Sequence, residues 1–580
     1  MDCTTHQRNQ SQGPPSPRGG FLIAVLMMLA AASCPAHADR LVAGFGAEGG
    51  EDHLKNMAKS GLTAQFLCVR LAPQMQMSVD ARGRVVGSLS AEKRKSYVDR
   101  ANQAARLGID IYLVTAFFSE YVEQLKKLGP YTQAYVQGPT RYISPGEKPA
   151  PGPLEERYWL GQLLSEARFA AELSRQCPNV KGFLIDVEMY GGDLMWRLNS
   201  SFDDQTFAAA TAEMGRRGVL AAEAEPAKVA RDGRYEWLAE HKLLNTYFEI
   251  EADLVADIAR RLRREIDAVN PDFQLGMLPY ETMWFYDGWL RGLATRRAPV
   301  IVCSEAEYNP GFTPALPARV EHLEQSGIPF RYMPGLFLHT HSPDQIRRHA
   351  RRCLDAVNGY WLFTTYSLWQ QDPSKLRGPY LIKADRRQYW DALGAANRQG
   401  APPAEPDRRY TCPGSTLLTG NRHYPGPKAQ LPLSVTYSRE PDVPFYGDPK
   451  RSKPFDGAEE DAIGTVAWHA STDEPLTVVV DLSKSARIER VRLAAGHILA
   501  NHPSVVDGNI ELFTSEDATT WYPMQRIDLF DGRGKSMPKT DFDELGIRAR
   551  YVRIVFTARH VVRHSVWTLS ELAVWGALDS

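Results

Sequence analysis

Gly182-Phe-Leu-Ile-Asp186-Val-Glu188-Met-Tyr190 carries an apolar run directly into two carboxylates. A short apolar run of this kind reads as a strand covered on both faces, the habit of parallel sheets wrapped by helices. Asp186 and Glu188 stand two residues apart and therefore leave such a strand on one side. Seven more runs lie on either side of it: Leu41–Phe45, Ala64–Leu71, Ile109–Phe118, Phe273–Glu281, Val300–Tyr308, Phe330–Leu338 and Tyr360–Leu368. Helix-like stretches separate them, among them Ser90–Leu107, Glu155–Arg175, Tyr247–Val269, Pro317–Gln325 and Asp344–Ala356. Asn270-Pro271 and Asn358-Gly359 stop two of these just before the next run. Eight β-then-α units predict an α/β fold, a (β/α)8 TIM barrel over residues 39–400. The other arrangement, a doubly wound open sheet, has no need of eight regular repeats. No Gly-rich phosphate or dinucleotide fingerprint follows any run either.

In such a barrel, chemistry belongs at the carboxyl ends of the strands, and long loops there build the rim. Two long insertions fit that role, Ser119 to Pro153 and Gly191 to His241. The strand ends themselves hold Asp186 and Glu188, then Tyr280-Glu281, then Glu305 and Glu307 with Tyr308, then His339 and His341, then Tyr366 and Trp369. Carboxylates that follow Phe-Leu-Ile or Val-Ile-Val are poorly explained as solvated surface, because a buried charge needs a partner or a task. Cleavage of a glycosidic bond needs this equipment: one carboxyl held protonated for the leaving oxygen, a second as nucleophile or as base for water. Neighbouring carboxyls push each other's pKa values apart, which separates the two roles. The expected catalytic set is Asp186, Glu188, Glu281 and Glu305. The structural alternative pairs Asp186 with Arg70 from strand two. Alternation puts Glu305 and Glu307 on one side, one functional and the other structural or bound to a substrate hydroxyl. Tyr190, Tyr280, Trp284, Tyr308, Tyr366 and Trp369, with Glu307 and His339, are the expected substrate contacts, since flat rings with a polar handle suit sugars. No compact ligand motif points to a metal, so none is expected in catalysis.

The ends of the chain differ in kind from its middle. Arg8 and Arg18 precede Phe21-Leu-Ile-Ala-Val-Leu-Met-Met-Leu-Ala-Ala-Ala32, and Ala36-His37-Ala38 offers a small-x-small cleavage site before Asp39. This three-part pattern reads as a secretory signal over residues 1–38, hence a secreted or periplasmic protein. Ala31-Ala-Ser-Cys34 resembles a bacterial lipobox with Ala in place of its first Leu, the weaker reading. The 580-residue chain carries a formal net charge of −1, which gives no reason to expect nucleic acid or an anionic membrane as partner. Its 43% hydrophobic content is ordinary for globular cores. Beyond the signal, Cys68, Cys177, Cys303, Cys353 and Cys412 are scattered and form neither a zinc spacing nor a dense disulfide framework. Ala401-Pro-Pro-Ala-Glu-Pro opens a linker over 401–430. Short β-type runs follow in Leu476–Leu482, Ile488–Leu493, Ile510–Thr514 and Tyr551–Phe556, predicting an all-β sandwich over 431–580.

Two resemblances rest on these residues. The barrel resembles TIM-barrel glycoside hydrolases over about 360 residues, at the level of pattern. Chitinase-like members carry Asp-x-Glu at the end of strand four and Trp on strand eight, which here are Asp186, Glu188 and Trp369. That scheme implies Glu188 as acid and Asp186 as the group that positions an acetamide; its two earlier aspartates are Lys181 and Leu184 in this chain. Other retaining barrels place the nucleophile on strand four and the acid on strand five or six, implying Asp186 with Glu281 or Glu305. The strand-seven nucleophile of a further group has no counterpart in Leu338-His-Thr-His341. The C-terminal part resembles a factor 5/8 type C, or discoidin, domain of the galactose-binding-like fold. Lys453-Pro-Phe-Asp456-Gly457, Val478-Val-Val-Asp481-Leu482, Ser515-Glu-Asp517 through Trp521, and Arg550-Tyr-Val-Arg553-Ile554 carry that likeness. Such domains often bind carbohydrate and often hold a structural calcium ion, while others only support their neighbour. The resemblances together imply a secreted glycoside hydrolase with a carbohydrate partner and no catalytic cofactor. A glycan-binding surface protein with an inactive barrel is the alternative.

Overall fold

A computed structural model describes residues 40–46, 49–115, 124–138, 150–187, 200–220, 224–279, 284–308, 316, 320, 323–324, 326–370, 372–398, 416–419, 434–443, 446–448, 451, 453–455, 465–495, 505, 507–528, 540–542, 545–561 and 565–578. The apolar runs become eight parallel strands: β1 (Leu41–Gly46), β2 (Ala64–Val69), β3 (Asp110–Thr115), β4 (Val180–Asp186), β5 (Gln274–Leu278), β6 (Val300–Ser304), β7 (Phe330–Phe337) and β8 (Gly359–Phe363). Each pairs with its neighbours in sequence, and β8 pairs back onto β1, so the sheet closes into a barrel. Closure removes both sheet edges and leaves no unpaired ladder to protect.

Helices follow the strands: α1 (Glu51–Lys59), α2 (Ala91–Ala105), α3 (Leu164–Gln176), α4 (Leu244–Asp267), α5 (Trp284–Leu293), α6 (Pro343–Val357) and, after β8, α7 (Arg386–Asn397). Local sequence sets their ends. Ser90 accepts a hydrogen bond from the Lys93 amide at the start of α2. Ser342 and Gln345 form a reciprocal capping box on α6, with Pro343 at its first turn. Asn358 ends α6 in the left-handed conformation, with φ of 54°, and hands the chain directly to β8. The helix expected over Glu155–Arg175 is interrupted: residues Arg157–Leu163 form a π-helical segment before α3 begins. Most of the helix expected over 317–325 lies outside the described residues.

Two apolar layers result. One joins the outer faces of the strands to the helices, with Val42, Leu67, Phe183, Met277, Val302 and Leu336 among its strand residues. The other fills the barrel itself: Leu41, Ala43, Phe45, Ala64, Phe66, Tyr112, Val114, Leu184, Leu278, Ile301, Cys303, Met333 and Trp361. This inward set follows the two-residue period of each strand, so continuous apolar runs were needed to serve both layers. Trp361 is accommodated by a glycine across from it. A Cβ on Gly335 would stand 2.8 Å from both Trp361 Cε2 and Tyr308 Cε1.

The C-terminal strands are β9 (Thr416–Leu417), β10 (Ser434–Tyr437), β11 (Val466–His469), β12 (Leu476–Ala495), β13 (Asp507–Ser515), β14 (Tyr522–Asp528), β15 (Thr540–Phe542), β16 (Ile547–His560) and β17 (Val566–Leu578). The path runs β9-β17-β12-β16-β13-β14, with β10 and β15 on β12 and β11 on β17. All of these pairings are antiparallel, and their buried faces share a core of Trp468, Leu476, Val478, Ile554, Phe556, Trp567 and Leu572. The separate runs Leu476–Leu482 and Ile488–Leu493 are one long strand, whose register shifts between Asp481 and Ala486. Thr416–Leu417, inside the stretch read as linker, pairs with Gly576 and Trp575. Leu418 is fully buried beside it, and Thr419 Oγ1 accepts from the Val574 amide at 2.8 Å. A fragment spanning 413–580 should therefore unfold cooperatively and outlast 431–580 in urea. Each buried leucine lost with β9 removes about 1.5–3 kcal/mol. Equal midpoints would show that β9 contributes nothing. Among the described residues no helix is long and apolar enough to cross a membrane.

Candidate active site

The catalytic candidates depend on where each strand ends. β4 ends at Asp186, whose side chain follows the inward position of Leu184 and is 6% exposed. Asp186 is in register with Leu278 of β5. β6 ends at Ser304, and Glu305 follows the inward position of Cys303, again 6% exposed. The Glu305 amide donates to the Pro279 carbonyl at 3.1 Å, which fixes it against the end of β5. One strand thus lies between the two carboxylates, placing their backbones about 10 Å apart. Tyr286 of α5, in the layer between strands and helices, lies within electrostatic reach of both. The ring is fully buried, and its hydroxyl is pushed well above the usual phenol range by burial, then by the charge of Glu305, then by that of Asp186. Glu305 also raises the Cys303 thiol below it, after the larger effect of burial. Asp186 and Glu305 therefore stand at the carboxyl ends of β4 and β6, and both charges reach Tyr286.

Glu307 does not join them. The strand alternation expected to align it with Glu305 stops at Ser304, where Ala306–Tyr308 turn into a 3-10 helix. Glu307 is fully buried and accepts from the Tyr332 hydroxyl at 3.2 Å. Tyr332 belongs to the layer between strands and helices, and Glu307 adds to the raised pKa of the Cys353 thiol on α6. Its place is behind the barrel wall, which fits the structural one of the two roles expected for this pair rather than a substrate contact. Tyr308, one residue on, returns to the mouth. Its ring lies 5.5 Å from Trp361, 5.6 Å from Phe363 and 5.2 Å from Phe337. Phe45 extends the group, 5.3 Å from Phe363 and 5.8 Å from Trp361. The mouth thus has an acidic side at β4–β6 and an aromatic side at β6, β7, β8 and β1.

Other expected contacts are placed differently. Strand eight ends at Phe363, not Leu368, and Tyr366–Trp369 form a helical turn after it. Trp369 packs on His53 of α1 at 6.2 Å and on Tyr366 at 5.2 Å, away from the carboxylate pair. The Tyr366 hydroxyl accepts from Gln370 at 2.9 Å. His339 is half-buried at the rim, with Nδ1 2.8 Å from the Leu381 carbonyl and its ring 5.5 Å from Phe337. His341 is fully buried in the helical layer, 3.1 Å from His349, and burial lowers its pKa to about 4. Glu188, Tyr190, Tyr280 and Glu281 lie outside the described residues, as does the side chain of Trp284.

Phe45, Phe337 and Phe363 were missed, although the inward parity of Trp361 would have selected Phe363. A further buried acid stands behind the wall. Glu166 of α3 is fully buried and accepts from Thr115 Oγ1 at 2.8 Å, where Thr115 is paired with Ile185 beside Asp186. Burial raises its pKa to about 8, only partly offset by that hydrogen bond.

Among the described residues no group of three or more His, Cys, Asp or Glu side chains forms a metal cluster. Asp456, one of the residues that carry the discoidin resemblance, lies outside them.

No family model and no curated protein matches the chain. Solved structures similar to part of it include CpGH89CBM32-5 from Clostridium perfringens, in complex with GalNAc-β-1,3-galactose. It shows 19% identity and a TM-score of 0.18 over 24% of this chain and 94% of that one. The C-terminal domain of a chitobiase from Bacteroides fragilis shows 18% identity and a TM-score of 0.19 over 26% of this chain and 95% of that one. Chitosan-binding module 1 of a chitosanase/glucanase from Paenibacillus sp. IK-5 shows 21% identity and a TM-score of 0.20, over 25% and 96%.

Proposed function

We propose that the chain is an exported glycoside hydrolase whose barrel cleaves glycosidic bonds with Asp186 and Glu305. The observation that carries this reading is a pair of nearly buried carboxylates, Asp186 and Glu305, at the carboxyl ends of two barrel strands one strand apart. Two nearly buried carboxyls separated by one strand can serve as proton donor and as nucleophile or base, which is the pairing this hydrolysis requires. The aromatic side of the mouth, formed by Tyr308, Phe337 and Phe363, offers flat faces to a sugar ring beside that pair. The C-terminal sheet serves as an accessory carbohydrate-binding unit in this reading. No step requires a cofactor.

The direct test is reducing-sugar release by the mature chain, residues 39–580, across a panel of polysaccharides and glycoconjugates. Release from a substrate that the Asp186→Asn, Glu305→Gln double variant leaves intact supports hydrolysis at this pair. Binding of glycans without release by the native chain supports the glycan-binding alternative instead.

Tyr286 supplies a second expected result. Its hydroxyl lies within electrostatic reach of both carboxyls, and a phenol that donates to a carboxyl in the working complex favours the ionised form of that carboxyl. Tyr286→Phe should lower kcat about tenfold or more and move the acid limb of the kcat/KM profile to higher pH. An unchanged pH profile would remove the phenol from the mechanism.

A further inference from the structure

Outside the mouth, a groove of about 1170 Å³ lies between α1 and α7. The two helices run side by side, tied at their carboxyl ends by Asn397 Nδ2 donating to the Ser60 carbonyl at 2.8 Å. At the upper end, His53 forms the floor between two tryptophans, its ring 6.2 Å from Trp369 and 6.0 Å from Trp390. His53 is 3% exposed, and neither ring nitrogen has a hydrogen-bond partner among the described residues. Burial and then the nearby Arg100 charge lower its pKa to about 4, so the ring is neutral and offers one donor and one acceptor. A buried polar ring left without protein partners is costly unless water or a ligand reaches it.

The charges around the groove are unequal. Lys55 is held by Glu51 at 3.0 Å and Asp52 at 3.6 Å. Lys59, Arg387 and Arg398 line the same groove and make no ion pair among the described residues; Asp391 is the acid that stands near them. Arg387 lies at the start of α7 and Arg398 just past its end, about 16 Å apart at the helical rise. Lys59, at the end of α1, joins Arg398 at the lower end.

We propose that this groove binds an anionic oligosaccharide, one bearing carboxylate or sulfate groups, at a site separate from the mouth. The tryptophans take the apolar faces of sugar rings near the upper end, and the unpaired cations at both ends take the acidic groups. The spacing of the cations suits a chain of several sugars better than a monosaccharide. Positive charge at both ends also makes the binding sensitive to salt.

The test is calorimetric titration of the full mature chain with an oligogalacturonide hexamer, a heparin-derived hexasaccharide and neutral cellohexaose. At low salt at least one acidic probe should bind, and more tightly than cellohexaose by tenfold or more. Raising the salt to about 0.3 M should weaken that binding severalfold. The Lys59→Ala, Arg387→Ala, Arg398→Ala variant and the Trp390→Ala variant should each lose at least tenfold, with melting temperatures near that of the native chain. The Asp186→Asn, Glu305→Gln variant should bind as the native chain does, which separates this groove from the mouth. Equal affinity for the neutral probe, retention of binding in the triple variant, or no binding of either acidic probe overturns the proposal. An inactive mouth leaves it standing.

Discussion

Asp186→Asn is expected to abolish glycan cleavage by about 10²–10⁴-fold while the chain still folds, the scale on which a positioned acid, base or nucleophile contributes. The substitution keeps the volume of the side chain and removes its charge. Asp186 closes β4 and is 6% exposed as a residue, so its aim depends on the strand rather than on a loop. Glu305→Gln should act on the same scale, because the Glu305 amide is fixed to the Pro279 carbonyl and its charge reaches the same phenol. Residues that act as a unit are not additive, so the double variant should be little worse than either single one. The structural alternative, in which Asp186 balances Arg70, predicts the opposite pair of results. Arg70 lies just past the end of β2, ahead of the helical turn Leu71–Gln74, and is exposed. In that case Asp186→Asn would lower the melting temperature and leave turnover per folded molecule intact. Measuring both quantities on one preparation decides between them.

The barrel could be read from sequence because parallel strands buried on both faces leave uninterrupted apolar runs, and eight such runs survive in this chain. Their ends could not be read as well. Tyr366–Trp369 continues the apolar character of β8 but coils into a helical turn, which carries Trp369 from the expected strand end to the α1–α7 groove. Ala306–Tyr308 shows the same failure at β6, with a sharper consequence. A 3-10 turn breaks the two-residue period, so Glu305 and Glu307 part to opposite sides of the wall. Tyr286 was legible as an aromatic but not as a partner of the carboxylates. Its position follows from the packing of α5 against α4, where a Cβ on Gly288 would stand 2.2 Å from the Ala252 carbonyl. That closeness is a tertiary fact with no local signature. The C-terminal sheet showed its strands through alternation, yet β12 looked like two runs because the bulge near Asp481 interrupts the pattern with Ser483, Lys484 and Ser485.

Glu166 gives an expected result of comparable size in stability rather than in rate. Its carboxyl is fully buried behind β3 and β4, holds one hydrogen bond from Thr115, and has its other oxygen without a partner among the described residues. Burial disfavours the charged form, and the folded-state pKa rises to about 8 from the ordinary 4.5. The unfolded chain therefore releases this proton near pH 4.5, while the folded chain keeps it until about pH 8. Within that window the folded state binds more protons, so stability falls as pH rises, by roughly 1.4 kcal/mol per unit for this one group. Below the unfolded pKa the penalty is absent, and above the folded pKa it is complete. Glu166→Gln keeps an acceptor for Thr115 and removes the titration. The variant should match the native chain at pH 4.5 and exceed it by several kcal/mol at pH 8 in urea unfolding, with the gap opening steadily between. A gap that is the same at both pH values would mean that Glu166 ionises in the folded chain as it does in the unfolded one, and that its surroundings are not the dry layer between α3 and the barrel wall.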